Sequence, residues 1–580
     1  MPMMVYGANV SIREDITLQK FIDLVDDESW QEFMPSKLSK DTFREFTKYY
    51  DEEVFRGVAH NIRAKAFDYD ELLPTERIQA IAEIFATFKN PDKETVLTPW
   101  NVVNMQMSMT LGGNDFRSII KGKPEWATQG EATSIWSQEN TKILEINSKS
   151  GLYPLLAAYN IYSRQLIKRK KPEEKIYRQL WNEVLKNNIF VLCKSPMAKT
   201  ITRRTLAGYS NAETNVIHIK DLVQKLRQEN DFKGYNLNKE LQEKFRTERS
   251  EVKFTAIVGN PPYQINTDTN FAIPVYHLFF DAAKNLAPDY LTLIHPARFL
   301  FNAGATPKEW NNKMLNDPHL SIPLYEPNSQ KIFSGVDIKG GVCITFWNKN
   351  HPNEGLGGSF VAHVELKTIL NKVGVSSSFD KIVSSAGGSP TKRYIDKYGR
   401  KRSYFRTSAF FDLTEVFTEK YDKVHTIKII GLEKGNKRSD RYVSPDFLDD
   451  QNLKKWKVFL PKSNGSGAIG EVLSTPLVGE PLVGCTESFI QIGSFDHRAE
   501  SENCMNYIKT KFCRILLGTL KITQDNPKSV WKNVPIQDFT QKSDINWSQS
   551  VSNIDKQLYQ KYGLSQDEID FIETHVKAME

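Results

Sequence analysis

The pattern of apolar and polar positions divides the chain into three parts. Up to about residue 90, apolar residues recur at helical spacing with charged residues between them, which predicts amphipathic helices. From there to about residue 350, short apolar runs alternate with helical patterns, as in consecutive βαβ units. After that, glycine, serine and aromatic residues become more frequent and apolar runs become shorter. The pattern therefore predicts a helical region (1–90), an α/β domain (91–350) and a mixed α+β region with C-terminal helices (351–580).

Individual elements follow from the same pattern. Predicted helices lie at residues 11–24, 41–58, 75–88, 271–285 and, as one or two helices, 554–579. In the α/β domain we expect a sheet of roughly six or seven strands. The apolar runs that predict these strands lie at residues 216–221, 254–258, 290–296 and 341–347, and two earlier runs begin at residues 142 and 188.

The run before Gly259 ends in a distinctive turn, Asn260-Pro261-Pro262-Tyr263. Two prolines cannot continue a strand ladder, so the chain must leave the sheet here as a stiff turn. Open α/β sheets bind their ligands at the carboxyl ends of strands. Asn260 offers an amide oxygen, the prolines offer carbonyl acceptors, and Tyr263 offers an aromatic face. This set suits a planar base with an exocyclic amine; the alternative is an ordinary strand-end turn with a buried tyrosine.

Two earlier places carry candidate binding chemistry. Thr98-Pro99 is typical of a helix N-cap followed by proline at the first helical position, whose free N–H groups suit a carboxylate. Glu145 ends an apolar run, and Asn147 and Gly151 belong to the small-residue turn that follows it. Such an acid can hold a charged amine or a ribose hydroxyl. The alternatives are a plain helix start and a plain βα turn.

Basic residues cluster among aromatic ones in the third part, at residues 392–406 and 434–442. This mixture suits phosphate contact combined with base stacking, although a solvated charged face would show the same composition. The DNA-binding candidates from the two clusters are Lys392, Arg393, Arg400, Lys401, Arg402, Lys437 and Arg438.

Composition adds few constraints. The chain has 580 residues, with 40% hydrophobic and 25% charged content, close to the globular average. We find no membrane-spanning run and no signal-peptide pattern, so we expect a cytoplasmic protein without a membrane partner. The formal net charge of +7 decides little at this length. The five cysteines lack metal-ligand spacing, which predicts reduced structural thiols and no metal site.

In this order of motifs, the chain resembles the amino-methylating adenine-specific DNA methyltransferases of the Eco57I/Taq-type restriction-modification family. The resemblance covers residues 91–350 by motif and residues 351–580 only by position and character. It implies a Rossmann-like methyltransferase domain that uses S-adenosylmethionine, followed by a DNA target-recognition domain. Lys149, Ile146 and Cys193 depart from the family pattern, which customarily has a glycine, a proline and an acid at these positions.

The resemblance also implies roles for the matching residues. Asn260 and the Pro261 carbonyl would bind the target amine within the catalytic turn that Pro262 completes, and Tyr263 would stack on the flipped base. The residues that it places at the cofactor are Thr98, Pro99, Glu145, Asn147, Gly151, Cys193, Lys194 and Asp221.

The function implied is site-specific adenine methylation of double-stranded DNA in a prokaryotic or phage setting, near the nucleoid. A cognate restriction endonuclease or a defence-system subunit is a possible partner. One alternative is a DNA-binding modification subunit with a decayed or partner-dependent cofactor site, which Lys149 and Cys193 favour. Another is a fused restriction–modification enzyme with Glu365-Leu366-Lys367 as its nuclease motif. A methyltransferase acting on RNA or protein amides is a third.

Overall fold

The computed structural model describes most of the chain. The described residues are 1–35, 38–88, 97–115, 118–119, 126–127, 130, 132–169, 173–230, 234–245, 251–266, 272–350, 352, 356, 360–384, 389–392, 396, 405–435, 437–465 and 467–579. The chain forms two compact units, Met1–Phe360 and Val361–Glu580.

The first unit is built around a seven-stranded sheet. The strands described in this unit are β1 (Gly113–Asn114), β2 (Trp126–Ala127), β3 (Ile143–Ser148), β4 (Ile189–Cys193), β5 (Asn215–His218), β6 (Ala256–Gly259), β7 (Gln264–Asn266), β8 (Ala272–Pro274), β9 (Tyr290–Pro296), β10 (Leu320–Glu326) and β11 (Val342–Asn348). The main sheet has the order β10-β11-β9-β6-β3-β4-β5. Strands β9, β6, β3, β4 and β5 pair in parallel. Strand β11 pairs antiparallel with both of its neighbours, β9 and β10.

Helices cover both faces of this sheet. Those described are α1 (Pro2–Gly7), α2 (Leu18–Leu24), α3 (Asp27–Phe33), α4 (Lys40–Phe46), α5 (Glu52–Asp68), α6 (Pro74–Ala86), α7 (Trp100–Thr110), α8 (Leu152–Ile167), α9 (Glu174–Asn187), α10 (Pro196–Ala207), α11 (Leu222–Asn230), α12 (Leu237–Lys244), α13 (Tyr276–Asn285) and α14 (Lys308–Leu315). Because side chains alternate along a strand, Ile143 packs into one core with α1–α10, while Leu144 and Ile146 pack into another with α11–α14.

The N-terminal helices share a core with the α/β part. Tyr6, Phe21 and Trp30 belong to the same buried cluster as strand residues Ile143 and Val191. Charged side chains strengthen this contact, because buried guanidinium groups satisfy backbone carbonyls across it. The Arg77 guanidinium donates to the carbonyls of Thr205 and Arg204, at 2.7 Å each. Arg204 donates in turn to the carbonyls of Tyr6 and Ala8, at 2.5 and 2.9 Å.

The second unit is mixed α+β. Its described strands are β12 (Val383–Ser384), β13 (Ser389–Pro390), β14 (Ile427–Leu432), β15 (Arg438–Val443), β16 (Leu448–Asp449), β17 (Trp456–Pro461), β18 (Leu477–Gly479), β19 (Val483–Cys485) and β20 (Phe489–Phe495). They form small sheets in the orders β12-β20-β17-β18, β13-β16 and β15-β14-β19. The described helices are α15 (Val364–Val373), α16 (Ala409–Asp412), α17 (Arg498–Lys509), α18 (Lys511–Gly518), α19 (Val551–Lys561) and α20 (Gln566–His575).

These elements confirm the predicted fold, a Rossmann-like α/β sheet with a helical region before it and a mixed α+β region after it. Strand β9 has the predicted bounds. The single helix predicted at 41–58 is wrong, because Asp51 interrupts it: its carboxylate accepts from the N–H groups of Glu53 and Val54 and thereby begins α5. The first predicted helix begins at Leu18 instead of residue 11. No helix in the described ranges has the length and apolar character needed to cross a membrane.

We predict that Arg77→Met lowers the free energy of unfolding by about 2–4 kcal/mol, because the buried carbonyls that Arg77 satisfies would lose their donor. Urea denaturation measures this change. The matched control is Arg56→Met, which removes an exposed arginine paired with Asp15 at 2.5 Å and should leave the urea midpoint unchanged. Similar midpoints for the two variants would contradict the proposed contact between α6 and α10.

Candidate functional site

The carboxyl ends of β3 and β6 meet where the order of the sheet reverses. From β3, the chain continues through β4 and β5 on one side and then returns to β6 on the other side. A doubly wound sheet opens a crevice at this kind of switch point, and ligands bind there.

The two strand ends approach each other closely. A Cβ atom on Gly259 would lie 2.6 Å from the Ile146 carbonyl oxygen, so only glycine fits at this position. Asn147 adopts a left-handed backbone with φ of 68°, a conformation that asparagine tolerates better than most residues. Its amide nitrogen donates to the Asn260 carbonyl oxygen at 3.2 Å. The backbone of the Asn-Pro-Pro-Tyr turn is thereby tied to the end of β3.

Thr98 fixes the side chain of Asn260. The Asn260 Nδ2 donates to the Thr98 Oγ1 at 2.9 Å. Its Oδ1 is buried and has no hydrogen-bond partner among the residues that the structure describes. The predicted cap at Thr98 is wrong: α7 begins at Trp100, Pro99 itself holds the N-cap position, and no side chain caps the helix. The Thr98 hydroxyl positions Asn260 instead.

Glu145 lies on β3, on the same sheet face as Ile143 and Asn147. Its side chain is 4% exposed, and its Oε2 has no hydrogen-bond partner within the described ranges. Burial raises the pKa of this carboxyl to about 8, and a hydrogen bond with Ser148 opposes the shift. At neutral pH, this raised pKa keeps Glu145 largely in its neutral, protonated form unless a cation lies beside it.

A buried pair behind the turn was missed by sequence reasoning. Gln106 on α7 is fully buried, and its Nε2 donates to the Thr292 Oγ1 at 3.2 Å. The Tyr153 hydroxyl on α8 donates to the Gln106 Oε1 at 2.5 Å. Burial, followed by the nearby Glu145 and Tyr263, raises the pKa of Tyr153 well above its usual range. A polar residue inside an apolar helix pattern was the signal available for Gln106.

Tyr263 is half-buried. Its ring meets Phe333 edge-on, with the ring centroids 6.4 Å apart, and it packs against an apolar cluster that includes Val102 and Ile294. The hydroxyl is buried and finds no hydrogen-bond partner in the described part of the chain. Burial raises the pKa of this phenol and Cys343 adds to the shift, whereas the nearby Asn260 side chain opposes it. Of the two prolines, Pro261 is buried and Pro262 is half-buried.

The remaining predicted cofactor residues surround β4 and β5. Gly151 begins α8 in a left-handed conformation with φ of 79°, which favours glycine. Cys193 is buried at the end of β4, with its sulfur 3.8 Å from the Thr202 Oγ1. Lys194 is half-buried. Asp221 is exposed and lies beyond the end of β5, which stops at His218 instead of continuing to Asp221 as predicted. Hydrogen bonds thus link Thr98 and Asn147 directly to Asn260. Among the described hydrogen bonds, none links Lys194 or Asp221 to these three residues.

The predicted DNA-binding residues belong to the second unit. Lys392, Lys437 and Arg438 are exposed, and the Arg438 guanidinium lies 5.3 Å from the centroid of the Phe489 ring. Arg393, Arg400, Lys401 and Arg402 lie outside the described residues.

The possible nuclease motif falls on a helix. Glu365 and Lys367 both lie in α15, and residues two apart on a helix do not face each other. The described residues contain no group of three or more His, Cys, Asp or Glu side chains that could hold a metal ion. This placement gives the fused-nuclease alternative no support.

The switch point thus presents unused acceptors. Glu145 Oε2, Asn147 Oδ1 and Asn260 Oδ1 are buried, and none accepts a hydrogen bond from a described residue. Buried polar groups in native proteins are usually paired, so these unpaired acceptors make the switch point a candidate site for a ligand with hydrogen-bond donors. A cation would suit Glu145.

We predict that Glu145→Gln changes the pH dependence of stability. The folded protein holds the Glu145 pKa at about 8, above the ~4.3 of an unfolded chain. Between these values the folded state binds more protons, so wild-type stability falls as the pH rises. Glutamine does not titrate, so it removes this dependence. The free energy of unfolding of the variant, relative to that of wild type, should therefore rise by about 1.4 kcal/mol per pH unit between about pH 5 and 8.

Urea denaturation at several pH values measures this difference, and Glu53→Gln is the control because Glu53 is exposed. A Glu145→Gln curve that stays parallel to wild type across this range would contradict a buried, neutral carboxyl.

Comparison with solved structures finds restriction-modification enzymes. The Type IIL restriction-modification enzyme MmeI, solved in complex with DNA, has a TM-score of 0.45 and 9% identity, over 99% of this chain and 89% of that chain. LlaBIII, an ATP-dependent Type ISP restriction-modification enzyme bound to DNA, has a TM-score of 0.41 and 13% identity, over 99% of this chain and 45% of that chain. This chain therefore spans less than half the length of LlaBIII.

Sequence comparison gives a narrower match. An uncharacterized adenine-specific methylase from Mycoplasma pneumoniae (strain ATCC 29342 / M129 / Subtype 1) is 29% identical over 140 residues, which are 23% of this chain and 31% of the relative. Residues 187–333 match the family described as Eco57I restriction-modification methylase. The matched stretch includes the Asn-Pro-Pro-Tyr turn but neither Thr98 nor Glu145. Residues 187–333 are therefore similar to the Eco57I restriction-modification methylase family, which agrees with the resemblance to adenine-specific methyltransferases.

Proposed function

We propose that the protein is a site-specific DNA adenine methyltransferase, which transfers a methyl group from S-adenosylmethionine to the exocyclic amine of an adenine flipped out of duplex DNA. The observation that carries this proposal is the state of Asn260. One N–H of its amide nitrogen donates to Thr98, and its buried Oδ1 has no partner among the described residues. The hydrogen bond to Thr98 orients the amide and leaves the Oδ1 as an unused acceptor for a ligand.

An acceptor held in place in this way suits an adenine amine. The Asn260 Oδ1 and the Pro261 carbonyl would each accept one amine hydrogen, which turns the nitrogen lone pair out of the ring plane. As the amine forms its new bond, positive charge develops on nitrogen, and both oxygens stabilise that charge without reorganising. Catalysis in this scheme is mainly placement of the amine.

The cofactor residues fit S-adenosylmethionine. Its ammonium and hydroxyl groups are donors, which complement the unused Glu145 Oε2 and Asn147 Oδ1. A cation beside Glu145 would favour the carboxylate, so the Glu145 carboxyl would give up its proton as the ammonium group binds. When bound, S-adenosylmethionine supplies a sulfonium methyl group whose leaving sulfur is already cationic. Gly151 would let the backbone at the start of α8 approach the cofactor closely, with Thr98, Pro99, Cys193, Lys194 and Asp221 around it.

Tyr263 would hold the flipped base. Extruding an adenine from the stack costs a few kcal/mol, and stacking on an aromatic ring returns about 1–3 kcal/mol. The half-buried ring has one edge fixed by Phe333, so part of its surface stays open for stacking.

The second unit would recognise the DNA target. Exposed Lys392, Lys437 and Arg438 would contact phosphates, together with Arg393, Arg400, Lys401 and Arg402, and other side chains would read base edges. A restriction endonuclease or a defence-system subunit would be the partner in a prokaryotic or phage setting.

A second candidate function is a modification subunit that binds DNA but needs a partner to bind the cofactor. The buried, neutral Cys193 thiol favours it, since burial holds the pKa of this thiol well above its usual range and a ribose-binding acid is absent from this position. Calorimetry with S-adenosylmethionine, with and without DNA, separates the two functions: an active enzyme binds the cofactor alone.

We predict that Asn260→Ala lowers the rate of methyl transfer by about 100- to 1,000-fold, the usual effect of removing one group that stabilises a transition state. DNA affinity should remain near wild type. Long-read sequencing of DNA from expressing cells identifies the methylated site, and tritium transfer from labelled cofactor to that site gives the rate. Asn312→Ala, an exposed position on α14, is the control. Wild-type rates in the Asn260 variant would refute the assignment.

We predict that Tyr263→Ala weakens capture of the flipped base by about 1–3 kcal/mol, whereas Tyr263→Phe has a small effect because it keeps the ring. Fluorescence of 2-aminopurine at the target position reports base extrusion. Equal losses in both variants would assign the role to the hydroxyl.

A further inference from the structure

Helix α3 of the N-terminal region lies across the carboxyl ends of β4 and β5. The Met197 N–H, in the first turn after β4, donates to the Ser29 Oγ at 3.0 Å. At the end of β5, the His218 Nε2 lies 2.9 Å from the Glu28 Oε2. One helix therefore covers the edge of the sheet where nucleotide ligands bind in α/β folds.

The next acid along this helix, Glu32, is buried without adequate partners. Its side chain is 0% exposed, and neither carboxylate oxygen has a hydrogen-bond partner from the described residues. The Lys194 Nζ, directly after β4, lies 3.8 Å from Oε1, which is an ion pair but is too long for a hydrogen bond. A buried charge is expensive unless its lone pairs are used, so these two oxygens are placed for donors that a ligand supplies.

Glu32 lies near the end of β4, because the Nζ of Lys194, the residue after Cys193, is 3.8 Å from its Oε1. Burial raises the pKa of the Cys193 thiol, and the nearby Glu145 and Glu32 carboxylates add to the shift. In Rossmann-type folds, the strand that follows the glycine loop ends in an acid that accepts a ribose hydroxyl. Here that strand ends in a buried thiol, which is a weak acceptor.

We propose that Glu32 replaces this missing acid and accepts hydrogen bonds from the vicinal ribose hydroxyls of the cofactor. The inference rests on the proposed function, because it names one contact of the same S-adenosylmethionine site. A carboxylate presents two acceptor oxygens and a vicinal diol presents two donors, so the two groups match. Lys194 compensates the charge of Glu32 from the side of β4. The N-terminal helical region is then part of the cofactor site.

Calorimetry with S-adenosylhomocysteine, and with its analogue that lacks the ribose 2′- and 3′-hydroxyls, tests this contact in the full-length protein with DNA present. Glu32→Gln should bind S-adenosylhomocysteine roughly 10- to 100-fold more weakly, equivalent to about 1.4–2.8 kcal/mol. The unaltered protein should lose a similar factor with the analogue, while the variant should lose much less, since the two changes remove the same contact.

The matched control is Asp27→Asn, which removes a carboxylate from the same helix. Asp27 is 86% exposed and pairs with Lys40, so this variant should bind like the unaltered protein. Thermal unfolding without ligand checks the fold of each variant. If Glu32→Gln does not fold, Glu32→Asp, which withdraws the carboxylate by one methylene, provides the same comparison.

Two outcomes would overturn the proposal, and they differ in what they say of the proposed function. If the unaltered protein binds S-adenosylhomocysteine but Glu32→Gln shows the same affinity and the same penalty for the analogue, Glu32 does not contact the ribose and the methyltransferase function stands. If the unaltered protein with DNA binds neither S-adenosylhomocysteine nor S-adenosylmethionine, both proposals fail.

Discussion

The structure of the site depends on the close approach of two strand ends. Because Gly259 has no Cβ, the Ile146 carbonyl can pass beside it, and the chain can turn into two prolines without leaving the edge of the sheet. Asn147 then reaches the Asn260 carbonyl, and Thr98 reaches the Asn260 amide. The asparagine amide has an acceptor oxygen and a nitrogen with two N–H donors. Because one N–H donates to Thr98, the amide is oriented and its oxygen remains available to accept from a ligand.

This arrangement has an energetic consequence. The unused acceptors of Glu145, Asn147 and Asn260 lie where water is excluded, and each such group lowers stability by about 1–3 kcal/mol. The two apolar cores on either side of the sheet compensate for this. In return, the polar groups are already oriented before any ligand arrives, and a low-dielectric environment strengthens the hydrogen bonds that they then make. The buried carboxyl group of Glu32, on α3 near the end of β4, also lacks hydrogen-bond partners among the described residues.

The N-terminal helices contact strand ends of the sheet, although their sequence shows no recognisable chemistry. Their sequence shows only helical periodicity and charged faces. In the folded protein, Arg77 and Arg204 connect these helices to α10 through backbone carbonyls. Helix α3 makes its own contacts with the same part of the sheet, where Ser29 accepts from Met197 after β4 and Glu28 contacts His218 at the end of β5.

The sequence by itself determined the features that depend on local chemistry. Strand β9 and the turn at Asn260-Pro261-Pro262-Tyr263 were predictable, because apolar runs, glycine and proline restrict the backbone wherever they occur. Tertiary structure alone decided the contacts between distant segments: Thr98 acts on Asn260 instead of capping a helix, Gln106 joins Tyr153, and Glu32 lies near the end of β4. No local sequence pattern encodes these contacts, because they depend on how whole helices pack against the sheet. The same packing decides whether an acidic side chain is solvated or buried.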